Sequence, residues 1–111
     1  MSNSGTVEPP EEGDLVELLG YENGARAILY WCPGCECHHH LPLQKDPKIP
    51  GWSNDASWQW NGDKKLPSII PSVNRVGICH HYVTKGKIWY LGYSTHQFAG
   101  QTVPMEKCRT S

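Results

Sequence analysis

The sequence predicts a small single domain, mainly β, of short antiparallel strands with little helix, stapled by a metal site. Three observations carry that reading. Among 111 residues Gly (11), Pro (9), Trp (5) and Tyr (5) are plentiful while helix formers are scarce, a composition that favours strands and turns. Apolar stretches are short, some alternate with polar residues, and turn formers separate them. Finally, "WCPGCECHHH", residues 31–40, packs Cys32, Cys35, Cys37, His38, His39 and His40 into nine consecutive positions, more ligand atoms than one ion can use. A chain of this length builds only a marginal core, which a metal staple would support.

Taken in order, residues 1–13 are polar and acidic (Glu8, Glu11, Glu12) with Pro9-Pro10, and read as a disordered tail. The domain proper is then 14–111. "DLVELLGY" and "ARAILYW", separated by "ENG", read as a first hairpin in which Asn23-Gly24 supplies positive φ angles. After the Cys/His cluster comes a short strand around "HHLPL", then a loop, "QKDPKIPG", punctuated by Pro47 and Pro50. "ASWQWNG" alternates, placing Trp58 and Trp60 on one face of a strand. "LPSIIPSV" reads as an extended edge, because Pro67 and Pro71 cannot donate to a ladder. "RVGICHHYV", the turn "TKGK" and "KIWYLGY" form the clearest hairpin. "STHQFAGQTV" reads as one helical turn leading into a strand. There is no internal repeat.

The formal net charge is −1 and no more than two basic residues are consecutive, so neither nucleic acid nor an anionic membrane is the expected partner. No run approaches the roughly 18 apolar residues of a membrane span, and the N-terminus lacks the charged and apolar regions of a signal peptide. The expected location is the cytoplasm. There, five cysteines, an odd number, read as ligands or free thiols rather than a disulfide framework.

Cys32-Pro-Gly-Cys35 is a strong zinc signal, since the tight turn aims two thiolates at one point. Cys79, far along the chain in a predicted strand, suits a third ligand that ties loop to sheet. Cys37, His38, His39, His40 and His80 are all open as the fourth, against the plain alternative of solvated imidazoles at a strand end. Cys108 reads as an exposed thiol. Catalytic zinc patterns do not fit. Nucleobase deaminases need His-x-Glu ahead of Pro-Cys-x-x-Cys, whereas here Pro33 falls inside the pair and no His-x-Glu exists. The metal-dependent deubiquitinase spacing counted from His38-x-His40 places Lys48 where a serine is required, and no His-Glu-x-x-His occurs. A Cys-rich site with no partnered carboxylate reads as structural.

Chemistry must then sit elsewhere, and "LGYSTHQFAG" is the first candidate. Ser94-x-x-Gln97 fits a capping box. The same strand-to-helix position also suits a nucleophile, with backbone N–H groups at a helix start for an oxyanion. His80, His81 and His96 are the available bases, and on a strand His80 and His81 face opposite sides.

The stretches "WCPGC" with a following His, "WQWNG…PSIIPS", "GICHHYVTKGKIWYLG" and "STHQFAGQTVP" occur in an order and spacing that resemble a small zinc-binding family of tailed phages and bacterial ubiquitin-like conjugation operons. The family is often mislabelled ammonia monooxygenase, which is a membrane complex and does not fit a chain without a span. The resemblance covers about residues 30–105. Operon members look like zinc-containing serine peptidases that trim the C-terminus of a ubiquitin-like protein, and also reverse its conjugation. The family pattern falls on Cys32, Cys35, His39 and Cys79 as metal ligands and on His80, Ser94 and His96, with Ser72 in "IIPS" as the rival nucleophile. Where the family motif has Asp before the Ser or Cys, this chain has Tyr93, so a triad carboxylate would come from Asp55 or Asp63 unless a dyad suffices.

The resemblance therefore implies a serine peptidase with structural Zn2+, acting on the tail of a ubiquitin-like protein and associated with its activating and conjugating enzymes. Ser94 is the expected nucleophile, His80 the base, and His96 a supporting or alternative base. Trp58, Trp60 and Trp89 are expected to wall a narrow cleft, against the plain alternative that each is core packing. The rival from another class is a non-enzymatic, zinc-stapled binding module that occupies a host defence component. A zinc hydrolase is a third reading, and needs a zinc-bound water near a carboxylate.

Overall fold

A computed structural model describes residues 6–7, 13–52, 56–75, 79–92 and 98–107; for Thr6, Val7, Arg75 and Cys79 it describes the backbone alone. The expected mainly β fold is borne out: among the described residues all regular structure is strand, and no helix is long and apolar enough to cross a membrane. Strands β1 (Thr6–Val7), β2 (Glu17–Gly20), β3 (Arg26–Cys32) and β4 (Cys37–Pro42) form one antiparallel sheet in chain order. Strands β5 (Gln59–Trp60), β6 (Ile69–Arg75), β7 (Cys79–Thr84), β8 (Lys87–Tyr90) and β9 (Thr102–Pro104) form a second, again in chain order.

The sheets share one core because each presents an alternating apolar face to it. On β8 the period is clean: Lys87 and Trp89 are exposed while Ile88 and Tyr90 are fully buried. Ile28, Tyr30 and Cys32 of β3 and Leu41 of β4 meet Ile69 and Val73 of β6, Val83 of β7, and Ile88 and Tyr90 of β8. Each fully buried Val or Ile side chain contributes roughly 1.5–3 kcal/mol, and Val16, Ile28, Ile69, Val83 and Ile88 are all within 1 % of complete burial.

Both predicted hairpins form. In the second, Thr84 pairs with Lys87 across Lys85 and Gly86, whose φ angles of 47° and 77° are those of a twist-matching two-residue turn. The first departs from expectation. Only Gly24 has a positive φ, 89°, and the Tyr21 N–H donates to the Ala25 carbonyl, so the loop holds three residues with glycine last. Asn23 instead braces the loop, its Oδ1 accepting from Ala25 N–H at 3.0 Å and its Nδ2 donating to the Lys48 carbonyl at 2.7 Å.

The expected edge strand around Pro67 and Pro71 is a correction: β6 lies between β5 and β7. Pro67 precedes the strand, and Pro71 sits where the β6–β7 register shifts between Ile69 and Val73, so neither prolyl nitrogen interrupts a regular ladder. Partner β5 reaches only Ile69 and Ile70. The helical turn expected at residues 94–97 lies outside the described residues, while the strand expected after it is β9. One observation bears on the N-terminal segment read as a tail. Thr6 and Val7 pair with Gly20 and Leu19, which backbone hydrogen bonding permits even in a segment with little apolar surface.

Two cross-strand residue pairs are worth roughly 0.2–1 kcal/mol each, and 1 kcal/mol shifts Tm by about 4–8 °C in a domain of this size. Deleting residues 1–12 should therefore lower Tm by about 16 °C at most in a thermal melt. A much larger fall would mean that this segment contributes packing of its own.

Candidate active site and metal cluster

Strand alternation divides the histidine triplet. In the β3–β4 hairpin Cys32 pairs with Cys37 and Tyr30 with His39, so Cys32 and His39 occupy diagonal positions on the inner face. His38 and His40 point the other way: His38 contacts the Trp31 ring edge-on, and His40 shares a 3.0 Å hydrogen bond with the Tyr21 hydroxyl beside Trp52. Burial lowers the pKa of His40 and raises that of Tyr21, which favours a neutral pair.

From the opposite sheet β7 supplies His81, fully buried, to the same point. Ligand atoms of Cys32, His39 and His81 lie within 4.8 Å of one another, all three residues being buried. A second group, Cys35, Cys37 and His39, meets the same distance and shares His39. Sulfur and imidazole donors at this spacing suit a tetrahedral ion that prefers N and S. A further observation fits: His39 Nε2 is buried and has no hydrogen-bond partner among the described residues, an arrangement that costs free energy unless something accepts its lone pair. Buried Cys/His groups are thus positioned to hold a metal ion. Of the ligands expected from the sequence, Cys32 and His39 lie in the first group and Cys35 and His39 in the second; Cys79 opens β7, but its side chain is not among those described.

His81 is the residue of this cluster that sequence reasoning did not consider as a ligand. The signal was available, because positions 79, 81 and 83 of a strand share a face and Val83 is core. Tyrosines orient the cluster from behind. The Tyr30 hydroxyl lies 2.6 Å from His81 Nε2. The Gly34 N–H donates to the Tyr90 hydroxyl at 3.2 Å, leaving that O–H free to donate to Cys32 Sγ at 3.0 Å. Both contacts cross between the sheets, and hydrogen bonds of this kind tune the donors that hold a metal.

On the outer face of β6 and β7 a second constellation forms. Asn74 pairs with His80 in the ladder, so Ser72, two residues before Asn74, is diagonal to His80 on the same face. Ser72 Oγ and His80 Nε2 are 2.7 Å apart, both residues half-buried. That is the contact a serine nucleophile needs with an imidazole base. The Trp58 indole N–H donates to the Ser72 carbonyl at 3.3 Å, placing that ring beside the pair. Trp60 donates instead to the Asp63 carbonyl at 3.2 Å, and both tryptophans also pack against the core. Trp89 is 51 % exposed and lies against Tyr82, which in turn stacks on His80. Of the three tryptophans singled out in the sequence, Trp89 thus lies on the outer face with Tyr82 and His80. Trp60 instead pairs with buried Ile69 and, like Trp58, packs against the core, Trp58 reaching the Ser72 backbone through its indole N–H.

Ser94 and His96 lie outside the described residues, as does Asp55. Asp63, the other carboxylate considered for a triad, accepts from the backbone N–H groups of Lys65 and Leu66 at 2.9 and 3.0 Å. Those bonds, Leu66 foremost and then Lys65, hold its pKa below the ordinary value.

Comparison with known proteins follows from this geometry. Over residues 4–91 the chain matches the family model of BubE, the bacterial ubiquitination-like system serine protease. The chain belongs to this family. The resemblance carried by the sequence motifs is thereby borne out. No curated protein and no solved structure matches the chain. The matched segment includes Ser72, His80 and every residue of the metal cluster, and ends before Ser94.

Two outcomes are expected. In elemental analysis of purified protein, His39→Ala should lose bound metal whichever group holds it. Cys32→Ser should also lose it, with aggregation, whereas Cys37→Ser should retain it, since the fully buried group is the better-shielded one. Metal loss confined to Cys37→Ser would reverse that choice. Asp63 has a depressed folded-state pKa, so its contribution to stability is complete above the ordinary aspartate value and disappears as pH falls through the lower folded one. Asp63→Asn should accordingly flatten the acid limb of a pH-dependent melting curve below about pH 4, and an unchanged limb would contradict the capping role.

Proposed function

We propose that this chain is a serine peptidase that cleaves the extended C-terminal tail of a bacterial ubiquitin-like protein, with Ser72 as nucleophile and His80 as general base. One observation carries the assignment: the 2.7 Å contact between Ser72 Oγ and His80 Nε2. The family supplies the reaction class and the partner class.

In the first step His80 Nε2 takes the Ser72 proton as Oγ bonds to the scissile carbonyl carbon, and the carbonyl electrons move to its oxygen. Collapse breaks the C–N bond and expels the amine, which takes the proton from His80. His80 then deprotonates a water that attacks the Ser72 ester; the ester C–O bond breaks, and the His80 imidazolium returns the proton to Oγ. The same chemistry serves precursor maturation and removal of conjugates, since both present a carbonyl at the end of the same tail. Tyr82, stacked on His80, fixes the imidazole plane, and Trp58 confines the space above the Ser72 backbone. A ubiquitin-like tail is extended and ends in small residues, which suits a cleft with Trp58 on one side.

The metal in this proposal is a structural Zn2+, held by donors from Cys32, Cys35, His39 and His81 with Cys79 as a further candidate. It would neutralise thiolates within the core and tie the two sheets together. Ser72 and His80 lie on the opposite face of β7 from His81, so the serine chemistry runs without the ion taking part. Ser94 and His96 are kept as the rival nucleophile and base, with Ser94 otherwise a helix cap.

The test is a set of alanine variants assayed on a ubiquitin-like precursor, with product mass determined. Ser72→Ala should stay folded, since the lost hydrogen bond is worth about 1 kcal/mol. It should still bind substrate but lose several orders of magnitude in turnover. His80→Ala should behave alike and keep its metal. Ser94→Ala should cleave within a few-fold of wild type. If Ser72→Ala cleaves normally and Ser94→Ala does not, the nucleophile is Ser94.

A further inference from the structure

The dyad sits at an incomplete sheet edge, and the hydrogen-bond pattern identifies which backbone groups that edge offers. The Leu91 N–H donates to the His80 carbonyl at 2.9 Å, so the backbone polar groups of His80 face β8. In an antiparallel ladder a residue's N–H and C=O point to the same side. His80 and Asn74 are therefore a non-hydrogen-bonded pair, and the N–H and C=O of Asn74 point away from β7. The same parity holds for Ser72, whose carbonyl faces outward to the Trp58 indole.

On that outer side β5 covers only Ile69 and Ile70. The reason lies one residue earlier: the Trp58 N–H is bonded to the Pro42 carbonyl of the other sheet at 2.9 Å, so the chain diverts from β6 before it can pair further. Among the described residues no strand pairs with Asn74 on its outer side. Asn74 is exposed, and its outward N–H and C=O lie two residues, about 6.7 Å along the strand, from the proposed nucleophile.

We propose that the open edge of β6 at Asn74 binds the acyl side of the substrate by strand addition. The occupant is the extended peptide segment immediately before the scissile bond, running antiparallel to β6. Antiparallel pairing sets the direction. As β6 is followed backward from Asn74 to Ser72, the substrate advances from a residue that exchanges two backbone hydrogen bonds with Asn74 to the residue whose carbonyl carbon meets Ser72 Oγ. The paired residue is therefore two positions before the one at the scissile carbonyl. Recognition through main-chain groups is the usual logic of strand addition. It suits an extended tail of small residues, which has few side-chain features to grip. The inference rests on Ser72 being the nucleophile.

The experiment uses short peptides copied from the tail of the cognate ubiquitin-like protein, carrying a fluorogenic amine as leaving group, with single backbone N-methyl groups moved along the peptide. N-methylation two positions before the scissile residue removes the N–H that meets the Asn74 carbonyl, and should lower kcat/KM by about tenfold or more, the worth of one hydrogen bond. N-methylation at the next residue toward the scissile bond, whose N–H points away from β6, should cost much less. From the protein side, Asn74→Pro removes the outward N–H without breaking the β6–β7 ladder. It should raise KM on the unmodified peptide while retaining metal. If Asn74→Pro fails to fold, the N-methyl series on wild-type protein still decides. A series with no dependence on position overturns the strand proposal. Labelling of wild-type protein with a fluorophosphonate separates the two claims. Modification at Ser72 with a flat series defeats strand addition alone, whereas modification at another serine defeats the dyad and this inference together.

Discussion

The fold depends on a polar cluster buried where an all-apolar core would be expected. Cys32, His39, His81, Tyr30 and Tyr90 meet between the two sheets, and four of the five are fully buried. Such groups are costly in a core unless every lone pair and proton has a partner. Tyrosine hydroxyls serve His81 and Cys32, and His39 Nε2, without a hydrogen-bond partner among the described residues, is placed where a metal ion would complete the set. Because those contacts run from β3 and β4 to β7 and β8, satisfying them is equivalent to docking the sheets. A domain of this size has limited apolar area to bury, so a cluster that is favourable only in the assembled state adds cooperativity that apolar packing alone would not.

The cluster also bears on the outer face, through the geometry of one strand. Neighbouring residues of β7 point to opposite sides, so His81 enters the core while His80 emerges on the outer face against Ser72. The proposed base, His80, is therefore held by a strand whose inner face is anchored by its neighbour. In the proposed function this arrangement would separate two tasks that imidazoles perform well, holding a metal and moving a proton, and place them at adjacent positions that cannot exchange without inverting the strand.

Irregularity supplies the rest. The register shift around Pro71 is the point at which β6 departs from a regular ladder, and bulges of this kind commonly re-aim a side chain or end a pairing. Here Ser72 lies within the shifted stretch between Ile69 and Val73, just past the last β5 pairing at Ile70. The nucleophile candidate consequently stands where the sheet stops being covered, with Trp58 as the wall on one side. An exposed edge is ordinarily a liability, and a short opening beside a tryptophan would limit it to the single extended guest proposed above.

The amino-acid sequence alone determined the β-rich class, both hairpins, the Cys-x-x-Cys turn and the family. Each follows from local signals: composition, period-two alternation, turn residues and short collinear motifs. It also separated His80 from His81, because alternation on a strand is a local property. It did not reveal that His81 joins Cys32 and His39, since those residues approach only after two sheets pack face to face. Nor did it reveal the contact between Ser72 and His80. Ser94 carried the stronger local signature, a serine at a predicted strand-to-helix turn, whereas the claim of Ser72 rests on a diagonal contact across β6 and β7. That contact depends on where the register shifts and on which side β5 departs. Neither is encoded in any one segment; both arise from backbone hydrogen bonds between segments, and only the tertiary structure decides them.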